Sequence, residues 1–183
     1  MKYKTIYADP PWYENGGGDR GAQRHYPLMK TKDIIAMGDM VKDMADDDAY
    51  LFLWTTNNFL PDALKVMEAW GFRYVTIITW DKGGYGMGQY FRGRSEHCLF
   101  GIRGKPPYKM VDGKRQQGIT LFYEHKREHS RKPETMRKMI EKVSHPPFIE
   151  LFARERFEGW DSWGNEVTAP SCEGKDSDST LLN

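Results

Sequence analysis

The sequence contains few cysteines, no long apolar run and no excess of charge of one sign. Cys98 and Cys172 are the only cysteines among the 183 residues, which excludes a disulfide framework and a cysteine-based structural zinc site and favours a reducing cytoplasm. No apolar run approaches the roughly 18 residues that a membrane span needs, and the charged start of the chain does not predict a signal peptide. The formal net charge of +1 is compatible with a nucleic-acid surface, since such a surface is local.

The length and composition predict one domain. With 39% hydrophobic and 14% aromatic residues, the chain has ample material for a core, but 183 residues are too few for two domains of ordinary size. We therefore expect a single catalytic domain over residues 1–166. Residues 167–183 are rich in Ser, Asp, Gly and Thr, a composition that predicts a disordered tail.

Short apolar segments alternate with helical patterns along the chain. Residues 4–8 predict a first strand that ends at Asp9, because Pro10 and Pro11 remove ladder donors. Apolar and β-branched runs predict further strands at residues 49–54, 74–80, 97–102, 119–123 and 148–153, the last of the core. Helical spacing predicts helices from Thr31 to about residue 46, from Asn57 or Asn58 to Gly71, and from Pro133 to the Pro146-Pro147 pair. The alternation predicts a doubly wound α/β fold.

The tetrapeptide Asp9-Pro10-Pro11-Trp12 combines a carboxylate, a rigid backbone with exposed carbonyls and a flat aromatic ring. The exocyclic amine of a nucleobase is a poor nucleophile because its lone pair is delocalised into the ring. The Asp9 carboxylate and the Pro10 carbonyl could accept its two N–H groups, favour a pyramidal nitrogen and stabilise the positive charge that develops during attack. Trp12 is predicted to stack on the base. The alternative is that Asp9 caps a turn and Trp12 belongs to the core.

This tetrapeptide after an N-terminal strand resembles the N6-adenine methyltransferases named for the seventy-kilodalton catalytic subunit of the eukaryotic messenger-RNA methyltransferase. Further blocks in the family's order extend the resemblance from about Ile6 to Glu166. They lie at residues 51–54, 96–99, 129–133, 149–154 and 163–166, with Gly101 and Gly104 between them. The order also resembles that of the β class of amino-methyltransferases, in which the catalytic tetrapeptide comes early and the cofactor-binding strand late.

The resemblance implies a Rossmann-like, mostly parallel sheet with helices on both faces and S-adenosylmethionine bound at the carboxyl ends of the strands. Lys132 matches a cofactor-contacting lysine that could pair with the methionine carboxylate, and Glu150 could accept hydrogen bonds from the ribose diol. A solvated lysine and an edge carboxylate facing water are the alternatives. The implied cofactor positions are Ala8, Asp9, Lys132, Glu150, Phe152, Arg154, Asn165 and Glu166. Ala153 stands where members often carry Gly, and residues 155–157 lack the polar pair that animal members place near the ribose.

A second set of residues is predicted to contact the nucleic acid. Residues 83–94 interleave glycine, aromatic residues and arginine, a composition suited to stacking bases and contacting phosphates; an ordinary connection is the alternative. A basic stretch over residues 103–115 could follow a phosphate backbone or be a solvated loop. The predicted substrate-binding residues are Tyr13 and Tyr26 beside the glycine-rich residues 16–21, then Tyr85, Arg92, Arg94, Glu96 and His97. The five histidines have no metal-binding spacing, so we predict no metal site.

The function expected from the sequence is transfer of a methyl group from S-adenosylmethionine to the N6 amine of adenine in nucleic acid. DNA is preferred to RNA because the chain lacks the zinc fingers and long extensions of the eukaryotic messenger-RNA enzymes. The alternatives are methylation of the N4 amine of cytosine in DNA and a catalytically inert, nucleic-acid-binding partner subunit. A homodimer or heterodimer partner could supply additional recognition surface, and a bacterial or bacteriophage enzyme in the cytoplasm is the expected setting.

Overall fold

The computed structural model describes residues 1–13, 27–88, 90–126 and 131–164 of the chain. Several predicted features lie outside these residues: Tyr26, Asn165, Glu166, the glycine-rich residues 16–21 and the C-terminal residues 167–183. The division into a domain over residues 1–166 and a tail therefore stays a prediction.

The described residues form nine strands and four α-helices. The strands are β1 (Tyr3–Ala8), β2 (Ala45–Thr55), β3 (Arg73–Asp81), β4 (Ser95–Arg103), β5 (Met110–Val111), β6 (Lys114–Arg115), β7 (Leu121–Tyr123), β8 (Phe148–Leu151) and β9 (Trp160–Trp163). The helices are α1 (Thr31–Ala36), α2 (Gly38–Met44), α3 (Leu60–Ala69) and α4 (Glu134–Val143). Seven strands build one sheet in the order β7-β3-β4-β2-β1-β8-β9, while β5 and β6 form a separate hairpin.

Six of the seven sheet strands run in the same direction. Only β4 is antiparallel, and it lies between β2 and β3; the pairs β1–β2, β1–β8, β3–β7 and β8–β9 are parallel. The predicted fold class, a mostly parallel α/β sheet with helices on both faces, is confirmed.

The prediction that residues 148–153 form the last strand is wrong, because β9 follows and pairs with β8. Only four residues long, and with Asp and Ser between its two tryptophans, β9 has no continuous apolar run to mark it.

The alternation of side chains along the strands divides the core into two clusters. Ile6 and Leu51 belong to the cluster on the face covered by α1, α2 and α3. Tyr7 and Phe52, their chain neighbours, belong to the cluster on the opposite face, where α4 contributes Met136 and Ile140. Because β1 and β2 are covered on both faces, they read in the sequence as continuous apolar runs.

The helix predicted from Thr31 is interrupted. Its residues form α1 and α2 with a break at Met37, and the acidic residues 46–48, predicted to lie near the helix end, belong to β2. A Cβ added to Gly38, the first residue of α2, would lie 2.8 Å from the carbonyl oxygen of Ala69. The absence of a side chain at Gly38 therefore allows the start of α2 to approach the end of α3.

No helix among the described residues is long and apolar enough to cross a membrane.

Gly101 provides a test of the packing between β4 and α3. A Cβ at this position would lie 2.7 Å from Met67 Sδ and 3.0 Å from the Arg73 carbonyl oxygen. We expect Gly101→Ala to lower the free energy of unfolding by about 1–3 kcal/mol, because the added methyl group overpacks a buried contact. Gly84→Ala is the control, since no atom lies within 4 Å of its added Cβ. Urea denaturation of both variants makes the measurement, and equal stabilities would contradict the packing described.

Candidate active site

The carboxyl edge of the parallel strands brings the predicted catalytic and cofactor residues together. Asp9 directly follows β1, and Phe152 directly follows the neighbouring strand β8. Since β4 runs in the opposite direction, Glu96 at its amino end lies at the same edge. Lys132, two residues before α4, reaches both carboxylates. The geometry therefore joins residues that are 123 positions apart in the chain.

Four side chains of alternating charge form a continuous row at this edge. Lys132 Nζ lies 3.2 Å from Asp9 Oδ1 and 2.9 Å from Glu96 Oε2. Lys82 Nζ lies 3.2 Å from the other oxygen of Glu96, Oε1. Each of the four side chains is between 17% and 19% exposed. Ionic groups that are this well shielded from solvent interact more strongly than exposed ones, so the position of each depends on its neighbours.

The surroundings shift the pKa values within this row in different directions. Burial raises the pKa of the Asp9 carboxyl, and the nearby Glu96 charge raises it further, while Lys132 and Arg154 oppose the shift. Burial also raises the pKa of Glu96, but Lys132 and Lys82 outweigh it and the net shift is downward. For Lys132, burial favours the neutral amine, yet Asp9 and Glu96 together raise the pKa of the ammonium above its ordinary value. Lys132 is thus a permanent cation held between two carboxylates.

The backbone after Asp9 is fixed by hydrogen bonds on both sides. The Asp9 amide donates to the Leu151 carbonyl at 3.4 Å, and the Trp12 amide donates to the Pro10 carbonyl at 3.0 Å. The Pro11 carbonyl accepts the Met29 amide at 2.8 Å. A carbonyl oxygen has two lone pairs, so the Pro10 oxygen keeps one for a further donor.

Trp12 is packed in the core. Its side chain is only 8% exposed, its ring stacks on Phe59 with centroids 5.5 Å apart, and its indole N–H donates to the Trp54 carbonyl at 3.1 Å. These contacts agree with the alternative that Trp12 belongs to the core, because both polar and apolar parts of the side chain are used there; its stacking on a base stays a prediction. Trp12 instead anchors the loop that contains Pro10 and Pro11.

A cleft of about 230 Å³ opens between the carboxyl ends of β1 and β8 and the start of α4. Five predicted residues are part of its lining: Asp9, Lys132, Glu150, Phe152 and Arg154. Phe152 has a positive φ of 61°, a backbone conformation that non-glycine residues adopt rarely and that is enriched at functional sites. The sixth described position, Ala8, is buried in the core on the other side of the sheet, so only its backbone is available to a ligand.

Glu150 is held by an arginine that the sequence did not indicate. Arg137 Nη2 donates to Glu150 Oε2 at 2.6 Å, and its guanidinium carbon lies 3.6 Å from the Phe157 ring centroid and 4.9 Å from that of Trp160. Burial raises the pKa of Glu150 and Arg137 opposes this shift. Glu150 therefore lines the cleft, with one of its carboxylate oxygens bound to Arg137.

The predicted nucleic-acid loop lies beside the active-site edge. Tyr85 is 62% exposed, and the guanidinium groups of Arg92 and Arg94 each lie 5.5 Å from its ring centroid. Arg94 is also paired through two hydrogen bonds, of 2.7 and 2.9 Å, with Asp81 at the end of β3. These arginine bonds are the main cause of the lowered pKa of Asp81. Arg94 thus fixes the base of the loop, while Tyr85 and Arg92 remain at the surface.

His97 and Tyr13, two further predicted substrate residues, are engaged within the protein. His97 Nε2 lies 2.5 Å from Asn57 Oδ1 and Nδ1 lies 3.0 Å from Thr79 Oγ1, and burial lowers the pKa of the imidazole. The arrangement suits a neutral ring that donates through Nε2 and accepts through Nδ1. Tyr13 is half-buried, and its amide donates to the Met29 carbonyl at 3.0 Å. Their contact with a substrate stays a prediction.

A second, larger cavity of about 690 Å³ lies on the α4 face near β3 and β4. Its apolar lining includes Phe100, Ile102 and Met139, and its rim includes Lys105 and Arg115 from the predicted basic stretch. Arg115 covers the ring of a neighbouring tyrosine, with its guanidinium carbon 3.3 Å from the Tyr108 centroid. None of the predicted catalytic or cofactor residues lines this cavity. Within the described ranges, no group of three or more His, Cys, Asp or Glu residues is arranged to hold a metal ion.

Sequence reasoning missed Lys82 and Arg137. Both pair with carboxylates distant in sequence, so no local spacing identifies their partners. Position alone gives a weak signal: Lys82 directly follows strand β3 at the active-site edge, and Arg137 lies on the helix that begins two residues after Lys132.

The pair of Arg137 and Glu150 predicts a large effect on stability. Arg137→Ala should lower the free energy of unfolding by about 3–5 kcal/mol near neutral pH, because it leaves a buried carboxylate without its cation. The deficit relative to the native chain should shrink as the pH falls, since Glu150 then has a folded-state pKa above its unfolded value and takes up a proton. Arg131→Ala is the matched control, because Arg131 pairs with Glu155 at the surface and should change the stability by less than about 1 kcal/mol. Denaturant titrations at several pH values measure both, and equal losses for the two variants would contradict the buried pair.

Comparison with known proteins identifies the family. The sequence model of the MT-A70 family matches residues 3–166. The chain is 35% identical to the type II methyltransferase M.MunI of Mycoplasma sp over 91% of this chain and 78% of that protein. It is 28% identical to the N(6)-adenosine-methyltransferase MT-A70-like protein of Arabidopsis thaliana over 90% of this chain and 24% of the relative. It is 27% identical to the human N(6)-adenosine-methyltransferase catalytic subunit METTL3 over 91% of this chain and 28% of the relative.

The chain thus spans most of the Mycoplasma protein but only about a quarter of the plant and human relatives. The expectation of an enzyme with the fold of this family is confirmed by the family match and the observed sheet. The chain belongs to the MT-A70 family, the N6-adenine methyltransferase family that its motifs resemble.

Proposed function

We propose that this chain transfers a methyl group from S-adenosylmethionine to the N6 amine of adenine in nucleic acid, with DNA as the preferred substrate. The observation that carries the proposal is the placement of Asp9 and the Pro10 carbonyl at the carboxyl edge of the sheet, beside a cleft lined by Lys132 and Glu150. Ligands of open α/β sheets bind at this edge. The two acceptors for the amine and the residues for a cofactor are therefore adjacent.

The groups that line the cleft fit the methyl donor chemically. Lys132 and Arg154 supply positive charge suited to the methionine carboxylate, and Glu150 supplies a carboxylate oxygen for the ribose hydroxyl groups. Arg137 keeps that carboxylate oriented through the 2.6 Å hydrogen bond. When bound, S-adenosylmethionine supplies an electrophilic methyl group on a sulfonium that is itself a good leaving group. No nucleophile on the enzyme is then required.

The protein's contribution to the reaction is to prepare the amine. The Asp9 carboxylate and the remaining lone pair of the Pro10 carbonyl accept hydrogen bonds from the two N–H groups of the amine. These bonds favour a pyramidal nitrogen, whose lone pair is less delocalised into the ring and points toward the methyl carbon. As the nitrogen–carbon bond forms, positive charge develops on nitrogen, and the Asp9 charge stabilises it most strongly at that stage. Asp9 is also the nearest base to the proton that the methylated amine must release.

The loop of residues 83–94 and the active-site edge supply the surface for the nucleic acid. Tyr85 offers an exposed ring next to two guanidinium groups, and Tyr90 and Phe91 are 93% and 91% exposed. Exposed aromatic side chains interleaved with arginine suit unstacked bases and phosphates. The role predicted for Trp12 changes accordingly: it holds the loop after Asp9 in place, and the surface loop is the stacking element.

DNA is kept as the preferred substrate in this proposal. The chain is 35% identical to the type II methyltransferase of Mycoplasma, against 28% and 27% for the two adenosine methyltransferases. The Mycoplasma source of that relative agrees with the expected bacterial origin, and a bacterial or bacteriophage enzyme that acts in the cytoplasm stays part of the proposal. A homodimer or heterodimer partner stays part of the proposal, since a small catalytic domain has limited surface for reading a target sequence.

Asp9→Asn provides the test of the proposed reaction. The amide keeps the shape of the side chain but loses the charge, so we expect methyl transfer to fall by at least about a hundredfold. Double-stranded DNA, single-stranded DNA and RNA are incubated with the protein and S-adenosylmethionine, and the released nucleosides are measured by mass spectrometry. Asp33→Asn, on the exposed side of α1, is the matched control and should retain activity.

Each outcome of this experiment bears on a different part of the proposal. N6-methyladenine in the DNA pools, lost in Asp9→Asn but not in Asp33→Asn, supports the full proposal. N4-methylcytosine would contradict the choice of base, and methylation confined to RNA would contradict the choice of DNA. Full activity of Asp9→Asn would contradict the proposed role of Asp9. Absence of both methyl transfer and S-adenosylmethionine binding would favour an inert partner subunit.

A further inference from the structure

Lys82 lies at the end of the row of charges at the active site, next to Glu96. Its Nζ lies 3.2 Å from Glu96 Oε1, and its side chain is 17% exposed. Its amide donates to the Arg94 carbonyl at 3.0 Å, which fixes the residue between the end of β3 and the start of β4. Lys82 does not line the cleft beside Asp9. The contact that connects Lys82 to the residues beside the cleft is its ion pair with Glu96.

Glu96 has one oxygen for each of two lysines. Oε1 accepts from Lys82 and Oε2 accepts from Lys132, while Lys132 at the same time lies 3.2 Å from Asp9. A carboxylate with only one cation nearby would attract that cation more strongly. With Lys82 in place, the charge of Glu96 is already partly balanced, so Lys132 can be shared with Asp9.

We propose that Lys82 is a positioning residue for catalytic Asp9, acting by holding Glu96 so that the Lys132 ammonium remains shared between Glu96 and Asp9. The inference rests on the proposed function, because it assigns Asp9 the role of amine acceptor. It adds a residue that contacts neither the cleft nor Asp9, and it makes the row of four charges a functional unit.

The direction of the effect on Asp9 follows from the charges that face it. Lys132 and Arg154 lower the pKa of Asp9, whereas burial and the Glu96 charge raise it; Tyr7, Glu150 and Cys98 also lie near enough to interact with its charge. Removing Lys82 leaves the charge of Glu96 less balanced and draws Lys132 toward Glu96. Both changes favour the protonated form of Asp9, so its pKa rises. A protonated Asp9 is a weaker hydrogen-bond acceptor and has no negative charge to stabilise the positive charge that develops on the amine, so activity is lost on the acidic side.

The experiment measures the pH dependence of kcat for Lys82→Met and Lys82→Arg. We expect Lys82→Met to shift the acidic limb to higher pH, with activity about threefold or more below the native chain on that limb and within about twofold of it on the plateau. Lys82→Arg restores the positive charge and should follow the native profile. Lys65→Met is the control, because Lys65 is 68% exposed and pairs with Asp62 on its own helix at 3.8 Å.

A double-mutant cycle with Glu96→Gln tests the route of the effect. If Lys82 acts through Glu96, the acidic-limb shift caused by Lys82→Met should largely vanish in the Glu96→Gln background. An equal shift in both backgrounds would overturn the proposal, and so would a loss for Lys82→Met that is the same at every pH. An equal shift in both backgrounds would mean that Lys82 affects Asp9 without Glu96. A loss of activity that is the same at every pH would mean that Lys82 only maintains the folded structure.

A second readout separates this inference from the proposed function. The carboxyl carbon of Asp9 is followed by NMR through a pH titration of the native protein and of Lys82→Met, without any substrate. A higher Asp9 pKa in Lys82→Met supports the coupling, and an unchanged pKa overturns it, whether or not methyl transfer is detected. Absence of methyl transfer by the native chain would overturn the proposed function alone.

Discussion

The active site depends on one buried ammonium group shared between two carboxylates. Lys132 lies within 3.2 Å of both Asp9 and Glu96, and without it two negative charges would face each other in a poorly solvated cleft. Such a pair would take up a proton rather than remain ionised. The ammonium therefore allows Asp9 to remain a hydrogen-bond acceptor at the place where an amine has to be activated. It also supplies the positive charge that suits the carboxylate of the methyl donor.

The reversed strand β4 makes this arrangement possible. In a fully parallel sheet, the amino end of the strand next to β2 would lie at the edge opposite to Asp9, and Glu96 would be a sheet length away. Because β4 is antiparallel to both neighbours, its first residues come to the carboxyl edge and carry Glu96 to Lys132. The loop between β3 and β4, with Lys82 at one end and Arg94 at the other, is consequently placed beside the cleft as well. One change of strand direction thus connects the charge network to the predicted nucleic-acid loop.

Sequence reasoning located most of the sheet strands and placed Asp9 at the carboxyl end of β1, but it missed β9 and the partners of the charged residues. Asp9 could be placed because an apolar run followed by two prolines marks where a strand ends, whatever surrounds it. The direction of β4 could not be predicted, since an apolar run does not indicate whether the strand is parallel or antiparallel to its neighbours. The sequence left two roles open for Trp12, because stacking on a base and packing on Phe59 require the same kind of ring. Lys82 and Arg137 were missed because their ion pairs join distant segments, and the Asn165 and Glu166 assignments lie outside the described residues.

Two cavities of different character are lined by residues in the described part of the chain, and the central claim is that the methyl donor binds in the smaller, charged one. A crystal structure of the chain with S-adenosylhomocysteine tests this most directly. The account predicts the ligand in the 230 Å³ cleft, with its amino-acid end beside Lys132 and its ribose beside Glu150. Density for the ligand in the 690 Å³ apolar cavity lined by Phe100 and Met139, with the Asp9 cleft empty, would contradict it.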